Sequence, residues 1–333
     1  MDILVVGLGS MGKRRIRLLN RFFEIENIVG IDGREDRRKE VENLFGCETC
    51  SSIAEAVRKY PKITGAFVCT SPLSHSELIT DALNHNLHVF TEINLVSDGY
   101  AKNMKLAEEK GKILFLSSTF LYREEIQYIS KYLKCKDHKG NLNYIYHIGQ
   151  YLPDWHPWEN YKEFFVGNVR TNGCREILAI ELPWLLDIFG QVEDINIFSD
   201  NISKLDLPYR DNYMIQIRHK NGDKGALVVD IVSPKAVRLL EIYGENIYLS
   251  WDGTPLGLKY YDPKSRELNT AQLLEKMEHV EGYSDFVVEN AYQNEIKAFL
   301  DAISGAQVIR YGFREDLNTL RLIDRIEAEN EKY

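Results

Sequence analysis

The sequence predicts an α/β chain in two domains: residues 1–121 as a doubly wound parallel sheet, and residues 122–333 as an α+β domain on an open mixed or antiparallel sheet. Three observations carry this. Up to about residue 120, short apolar runs alternate with helical patterns, as parallel strands joined by crossover helices do. A G-x-G-x-x-G stands where the first strand gives way to the first helix. Beyond Tyr122, apolar runs follow one another across short polar turns such as Lys220-Asn-Gly-Asp223, the pattern of hairpin-joined strands. A chain of 333 residues suits two domains of ordinary size.

In order, the run Ile3–Val6 reads as a buried strand, breaks at Gly7, and passes into a helix near Met11 that carries Ile16, Leu18 and Leu19. Gly7 permits a tight turn, Gly9 lets backbone approach a pyrophosphate, and Gly12 lets helix and strand pack closely. Ser10 and Met11 lie in the same turn, where backbone N–H groups face the phosphates. The strand Ile28–Ile31 ends in Asp32, about 20 residues beyond Gly12, where a carboxylate accepts hydrogen bonds from an adenosine ribose. That favours NAD. Arg34 is placed to pair with a 2′-phosphate instead, so NADP stays open.

A helix from Glu35 to Phe45 follows, closed by Gly46, and Ser51 or Ser52 caps a short helix through Val57. The strand Gly65–Cys69 ends in Thr70-Ser71-Pro72-Leu-Ser-His75, and the strand His88–Thr91 ends in Glu92-Ile93-Asn94. Helices over Ser76–Asn84 and Tyr100–Lys110 and a strand Ile113–Leu116 complete this half. Ligands of open parallel sheets sit beyond the carboxyl ends of the strands. Gly7–Gly12, Asp32, Thr70–His75 and Glu92–Asn94 all occupy that edge, so these segments are the expected cofactor site.

The second half opens with a helix Glu124–Leu133 and a strand Leu142–Gln150, then an aromatic and polar loop, Tyr151–Tyr161. A helix Cys174–Phe189 ends at Gly190. Strand-type runs follow at Ile195–Phe198, Tyr213–Arg218, Ala226–Val232, Leu239–Tyr243 and Ile247–Trp251, and helices at Glu289–Ile303 and Glu315–Asn330 close the chain. His219 and His279 read as structural.

Composition narrows the partners. A net charge of −9 argues against nucleic acid, and Lys13-Arg14-Arg15 reads as a solvated helix face. No apolar stretch approaches the length of about 18 residues that spans a membrane, and no signal peptide is read, so no membrane partner is expected. Five cysteines, an odd number, point to reduced thiols and a cytoplasmic setting. Cys47-x-x-Cys50 has no second pair at zinc spacing, and no metal site is expected.

Together these residues resemble the glucose–fructose oxidoreductase / inositol dehydrogenase / rhizopine-catabolism (Gfo/Idh/MocA) family. Gly7-Leu-Gly-Ser-Met-Gly12 matches its nucleotide loop, and Thr70, Pro72 and His75 match its turn beside the nicotinamide half of the cofactor. The resemblance implies a Rossmann domain, a C-terminal domain whose open sheet makes homodimers or homotetramers, and NAD(P)-dependent chemistry on a carbinol of a sugar, cyclitol or sugar nucleotide. Two signatures differ. Where the family commonly has Glu-Lys-Pro this chain has Glu92-Ile93-Asn94, and Ile93 cannot hold a proton. Where the family has Asp and His four residues apart, this chain has Glu176 and Ile180.

Other residues are therefore candidates for the chemistry. In the loop Asp154-Trp155-His156-Pro-Trp-Glu-Asn-Tyr161, Asp154 and Trp155 suit a sugar ring, and His156 or Tyr161 suits a base. Glu176 joins them as a catalytic candidate. Arg170 and Arg175 suit an anionic substrate group, and Arg123 stands where the family often places a substrate-contacting Arg or Asn. The expected function is an NAD(P)-dependent oxidoreductase of a sugar, sugar phosphate or nucleotide sugar. The alternatives are a non-catalytic dinucleotide-binding regulator or partner subunit, which Ile93 fits, and a reductase of a non-sugar substrate.

Overall fold

The apolar run that opens the chain forms β1 (Asp2–Val6), buried throughout. The structure, a computed structural model, describes residues 1–135, 140–273 and 288–328. It divides into two units: Met1–Ser118 with Tyr292–Asn318, and Thr119–Ala291 with the chain from Thr319 onward. In the first unit β1 is followed by α1 (Ser10–Phe22), β2 (Asn27–Ile31), α2 (Glu35–Phe45), β3 (Glu48–Cys50), α3 (Ile53–Lys59), β4 (Ile63–Val68), α4 (His75–Asn84), β5 (His88–Thr91), α5 (Tyr100–Glu109) and β6 (Leu114–Leu116). All the strands run parallel, in the order β3-β2-β1-β4-β5-β6. The order reverses between β1 and β4, which makes their carboxyl ends the binding edge of such a sheet.

Local chemistry sets the boundaries. Ile16, Leu18 and Leu19 bury the inner face of α1. α2 stops at Gly46, whose φ of +64° is left-handed and favours glycine. Ser52 caps α3 by accepting from Glu55 N at 3.2 Å.

The second unit contains α6 (Glu124–Cys135), β7 (Asn143–Gly149), α7 (Gly173–Phe189), β8 (Val192–Asp200), β9 (Asn212–His219), β10 (Lys224–Asp230), β11 (Val237–Gly244), β12 (Ile247–Trp251), β13 (Lys259–Asp262) and β14 (Glu267–Thr270). They form one mixed sheet, β14-β13-β12-β11-β7-β10-β9-β8, in which only β7 and β10 pair in parallel among the described strands. The β9–β10 hairpin turns at Gly222, φ +94°. His219 is structural, as expected: its ring bridges Gly190 O at 2.9 Å and the Tyr144 hydroxyl at 3.1 Å. β13 and β14 escape the sequence reading because their polar residues give no apolar run.

The helices α8 (Glu289–Ile303) and α9 (Phe313–Ala328) close the chain. A boundary after residue 121 assigns them to the second domain, yet Tyr292–Asn318 groups with the first unit. The reason is aromatic. Phe67, Phe90 and Phe115 stand in register on β4, β5 and β6, and Phe299 of α8 packs on all three with centroids 5.3, 5.6 and 5.8 Å away. His279 and the end of the helix expected through Asn330 lie outside the described residues.

Candidate functional site

At the β1–α1 turn, Gly7 adopts φ +92° and donates to Ile31 O at 2.7 Å. A Cβ at Gly12 would lie 1.9 Å from Gly7 O, whereas a Cβ at Gly9 would meet only Arg37 Nη1, at 3.8 Å. Gly7 and Gly12 are thus required by the protein packing against itself. Gly9 is not, which leaves its open side for an approaching group. α1 starts at Ser10 and Met11 with no side-chain cap and no acidic residue in its first turn. Its leading N–H groups and the positive end of its dipole therefore suit phosphate oxygens.

Asp32 ends β2 as the spacing predicts. Its Oδ2 accepts from Leu8 N and its Oδ1 from Arg34 N, both at 2.9 Å, so the carboxylate is anchored beside the glycine turn. The Arg34 side chain is engaged elsewhere, in a two-pronged pair with Asp36 at 2.5 and 3.1 Å. Hydrogen bonding to Arg34 pulls the Asp36 carboxyl down to about 2. It is Arg37, unnoticed in the sequence, whose Nη1 lies 3.7 Å from Asp32 Oδ2.

Beyond β4, Ser71 and Pro72 open a single 3-10 turn that leads into α4 at His75. His75 is buried and both ring nitrogens are occupied: Nε2 donates to Thr70 O at 2.9 Å, and Nδ1 lies 2.7 Å from Asn94 Oδ1. Burial pushes the imidazole pKa down, against the opposing effect of its hydrogen bonds with Asn94 and Thr70. His75 therefore clamps the turn after β4 to the turn after β5, fixing Thr70 and Asn94. Glu92 is likewise committed. Arg15 Nε and Nη2 hold its carboxylate at 2.6 and 3.1 Å, and the same Nη2 reaches Glu295 Oε2 at 2.7 Å.

The solvated reading of Arg14 and Arg15 is thereby corrected: they are 5% and 0% exposed. Burial opposes the charge on Arg15, but Glu92 and Glu295 outweigh it and raise its pKa. The helical sequence hides this, because Glu295 comes from the far end of the chain.

In the second unit, Trp155 and Glu176 line a cavity of about 200 Å³ with Ile148, Gln150, Ile180 and Arg238. Both positions matched to the family's Asp and His, Glu176 and Ile180, thus face one pocket. Glu176 Oε2 is buried without a hydrogen-bond partner, and burial pushes its carboxyl up to about 8. Arg238 is paired with Glu181 at 2.7 Å, and Tyr146 and Trp184 also donate to that carboxylate, each at 2.7 Å. The pocket's one guanidinium thus arrives with its counter-charge.

The remaining candidates are placed elsewhere. Arg175 binds Asp324 at 2.6 Å and pairs with Glu327, tying α7 to α9. Arg123 is buried on Glu125 at 2.9 Å, against the Trp251 ring. Arg170 and Asp154 are exposed. His156 packs on Phe164 with centroids 4.3 Å apart, 3.8 Å from Glu159 by its Nδ1, and burial lowers its pKa. Neither it nor the half-buried Tyr161 lines the cavity. Cys47 and Cys50 are free thiols whose pKa values burial raises.

Sheet order, glycine turn and anchored acid define a dinucleotide-binding Rossmann domain. Residues 1–118 match the Gfo/Idh/MocA model, described as an oxidoreductase family with an NAD-binding Rossmann fold. The expected dinucleotide cofactor, NAD with NADP open, is borne out at that level. Human biliverdin reductase A is 30% identical over 143 residues, 42% of this chain and 47% of that one. Myo-inositol 2-dehydrogenase of Thermotoga maritima is 30% identical over 92 residues, 28% of each. The chain thus spans half or less of the length of these relatives. The solved UDP-N-acetylglucosamine 3-dehydrogenase of Acidithiobacillus ferrooxidans superposes with a TM-score of 0.75 at 15% identity, covering 98% of this chain and 96% of that one, a likeness of fold. Among the described residues, no helix is long and apolar enough to cross a membrane, and no group of three or more His, Cys, Asp or Glu is placed to hold a metal.

Proposed function

We propose that the chain is an NAD(P)-dependent oxidoreductase interconverting a carbinol and a carbonyl on a carbohydrate. The observation that carries this is the glycine turn: Gly9 keeps an open side between the uncapped start of α1 and the anchored Asp32 carboxylate. Gly7, Gly9, Ser10, Met11 and Gly12 would hold the pyrophosphate and Asp32 the adenosine ribose, with Thr70, Ser71, Pro72 and Asn94 at the neighbouring strand ends. The nicotinamide, when bound, supplies the hydride acceptor or donor.

The chain itself must move the hydroxyl proton, and Ile93 cannot. Glu176 takes that role in this reading. With a carboxyl pushed up to about 8 it is protonated at neutral pH, so it can donate to a carbonyl oxygen, and above that pH it can accept a carbinol proton. Trp155 and Gln150 would position the ring. Arg175 is bound to its own acids, so an uncharged sugar or the sugar part of a nucleotide sugar suits the pocket better than a sugar phosphate. The likenesses to the inositol and UDP-N-acetylglucosamine dehydrogenases support this class.

A second reading, reduction of a non-sugar substrate, is favoured by the apolar lining of Ile148, Ile177, Ile180 and Val237 and by the likeness to biliverdin reductase A. Absorbance at 340 nm separates the two. NAD(P)H formation with polyols or nucleotide sugars supports the first, and oxidation of NADPH by biliverdin alone supports the second. Dinucleotide binding with turnover of neither leaves a regulator.

The same reading includes a homo-oligomer. Phe198, Met214, Val228, His147 and Leu239 lie side by side across β8, β9, β10, β7 and β11, with Phe198, Met214 and Leu239 66%, 53% and 54% exposed. A largely apolar row of this kind, interrupted by His147, suits a second copy of the sheet, and light scattering at the monomer mass contradicts it. All five cysteines are free, which suits a reducing cytoplasm.

A further inference from the structure

Three arginines crowd the end of β2, and the structure separates their roles. Arg34 turns to Asp36 and is largely solvent-exposed there. Arg38 donates through Nη1 to the backbone carbonyl of Asp32 at 2.6 Å, which ties α2 to β2 and occupies one prong of its guanidinium. Arg37 sits in the first turn of α2, its Nη1 3.7 Å from Asp32 Oδ2 and 3.8 Å from where a Cβ on Gly9 would stand. Its guanidinium therefore lies beside both groups that define the dinucleotide site, the ribose-reading carboxylate and the open glycine, without a close hydrogen bond to either.

Resting on the proposed dinucleotide site, we infer that Arg37 is the residue that admits a 2′-phosphate, so that the chain takes NADP(H) as well as NAD(H). The chemistry has two parts. Asp32 uses Oδ1 and Oδ2 on the backbone amides of Arg34 and Leu8, and each oxygen keeps acceptor capacity for a ribose hydroxyl, which serves NAD(H). A 2′-phosphate brought to the same place meets the Asp32 charge and needs a cation within contact distance to offset it. Arg37 offers a planar fork already next to that carboxylate. Arg34 must first leave Asp36, and Arg38 must release the carbonyl that holds its helix.

The experiment measures NADH and NADPH affinities by fluorescence for the wild type, Arg37→Ala and Arg34→Ala, with 2′,5′-ADP against 5′-AMP as probes that lack the nicotinamide. The expected result is wild-type binding of both dinucleotides. In Arg37→Ala the NADPH-to-NADH affinity ratio falls tenfold or more, with a parallel loss for 2′,5′-ADP, and in Arg34→Ala the ratio stays within threefold. A ratio that falls in Arg34→Ala, or that ignores Arg37→Ala, overturns the assignment while leaving the dinucleotide site standing. Wild-type protein that binds neither dinucleotide overturns both. Arg37→Lys adds a check: a compact ammonium that restores only part of the ratio fits a forked contact to phosphate, and no recovery with intact NADH binding fits it as well, whereas full recovery argues against the fork.

Discussion

The two units carry their functional positions by different means. In the first, function resides in backbone: a left-handed Gly7, a Gly12 with no room for a side chain, an open Gly9, and strand ends that fix where Asp32 and Thr70 stand. Glu92 and Glu295 are locked on Arg15, and His75 is held between Thr70 and Asn94. In the second unit the backbone is an ordinary mixed sheet, and the proposed chemistry rests on one side chain, Glu176, left buried without a hydrogen-bond partner for its Oε2. A site made largely of backbone depends on its glycines and on the one acid, Asp32, that ends its second strand. A site made of a single unsatisfied carboxyl can be retuned by one substitution.

The sharpest way to break this contrast is Gly12→Val. The added Cβ starts 1.9 Å from Gly7 O, so strand and helix must separate, and the expected outcome is loss of soluble folded protein or of all dinucleotide binding. Normal thermal unfolding with normal NADH binding would contradict it. Arg15→Met comes next. It leaves Glu92 and Glu295 buried without their cation, at a cost of about 3–5 kcal/mol, read from denaturant unfolding. A change below 1 kcal/mol would mean that those carboxyls protonate and pack without it.

Glu176→Gln tests the other unit by pH. With its pKa raised above the ordinary carboxylate value, the native state binds more protons than the unfolded state between about 4.5 and about 8, so stability falls as pH rises through that window. The variant removes this fall, so its melting temperature exceeds the wild type's more at pH 8.5 than at pH 4. It also removes the pH dependence near 8 from kcat. An unchanged pH–stability curve would show that the Glu176 carboxyl is not raised. The smallest effect is expected for Arg175→Ala, which loses its ties to Asp324 and Glu327, about 1–2 kcal/mol of stability, and leaves KM unaltered. A KM rise without destabilisation would return Arg175 to the substrate site.

What the sequence revealed follows the same division. The glycine turn, Asp32, the bounds of α2 and its Gly46 stop, and most of the parallel strands were legible, because each is written in neighbouring residues through backbone propensity and strand-length runs. Arg15, read as solvated, was not legible: its burial depends on Glu92 and on Glu295, 280 positions away. Arg175 was misleading for the same reason, since its acids lie on α9. Arg37 was overlooked beside Arg34 because distance from Asp32 along the chain is a poor guide once a helix begins. His156 and Tyr161 attracted notice by residue type, yet the cavity is lined from their loop by Trp155.

The most direct measurement is NADH binding to wild-type protein and to Gly9→Val, each checked for thermal stability. Among the described residues, apart from its chain neighbours, Gly9 has no atom closer than 3.8 Å to its missing Cβ, so the variant should fold with an unchanged melting temperature while its NADH affinity drops at least tenfold. Wild-type protein that fails to bind NADH at millimolar concentration, or a folded variant that binds as tightly as the wild type, would contradict a dinucleotide seated on this turn.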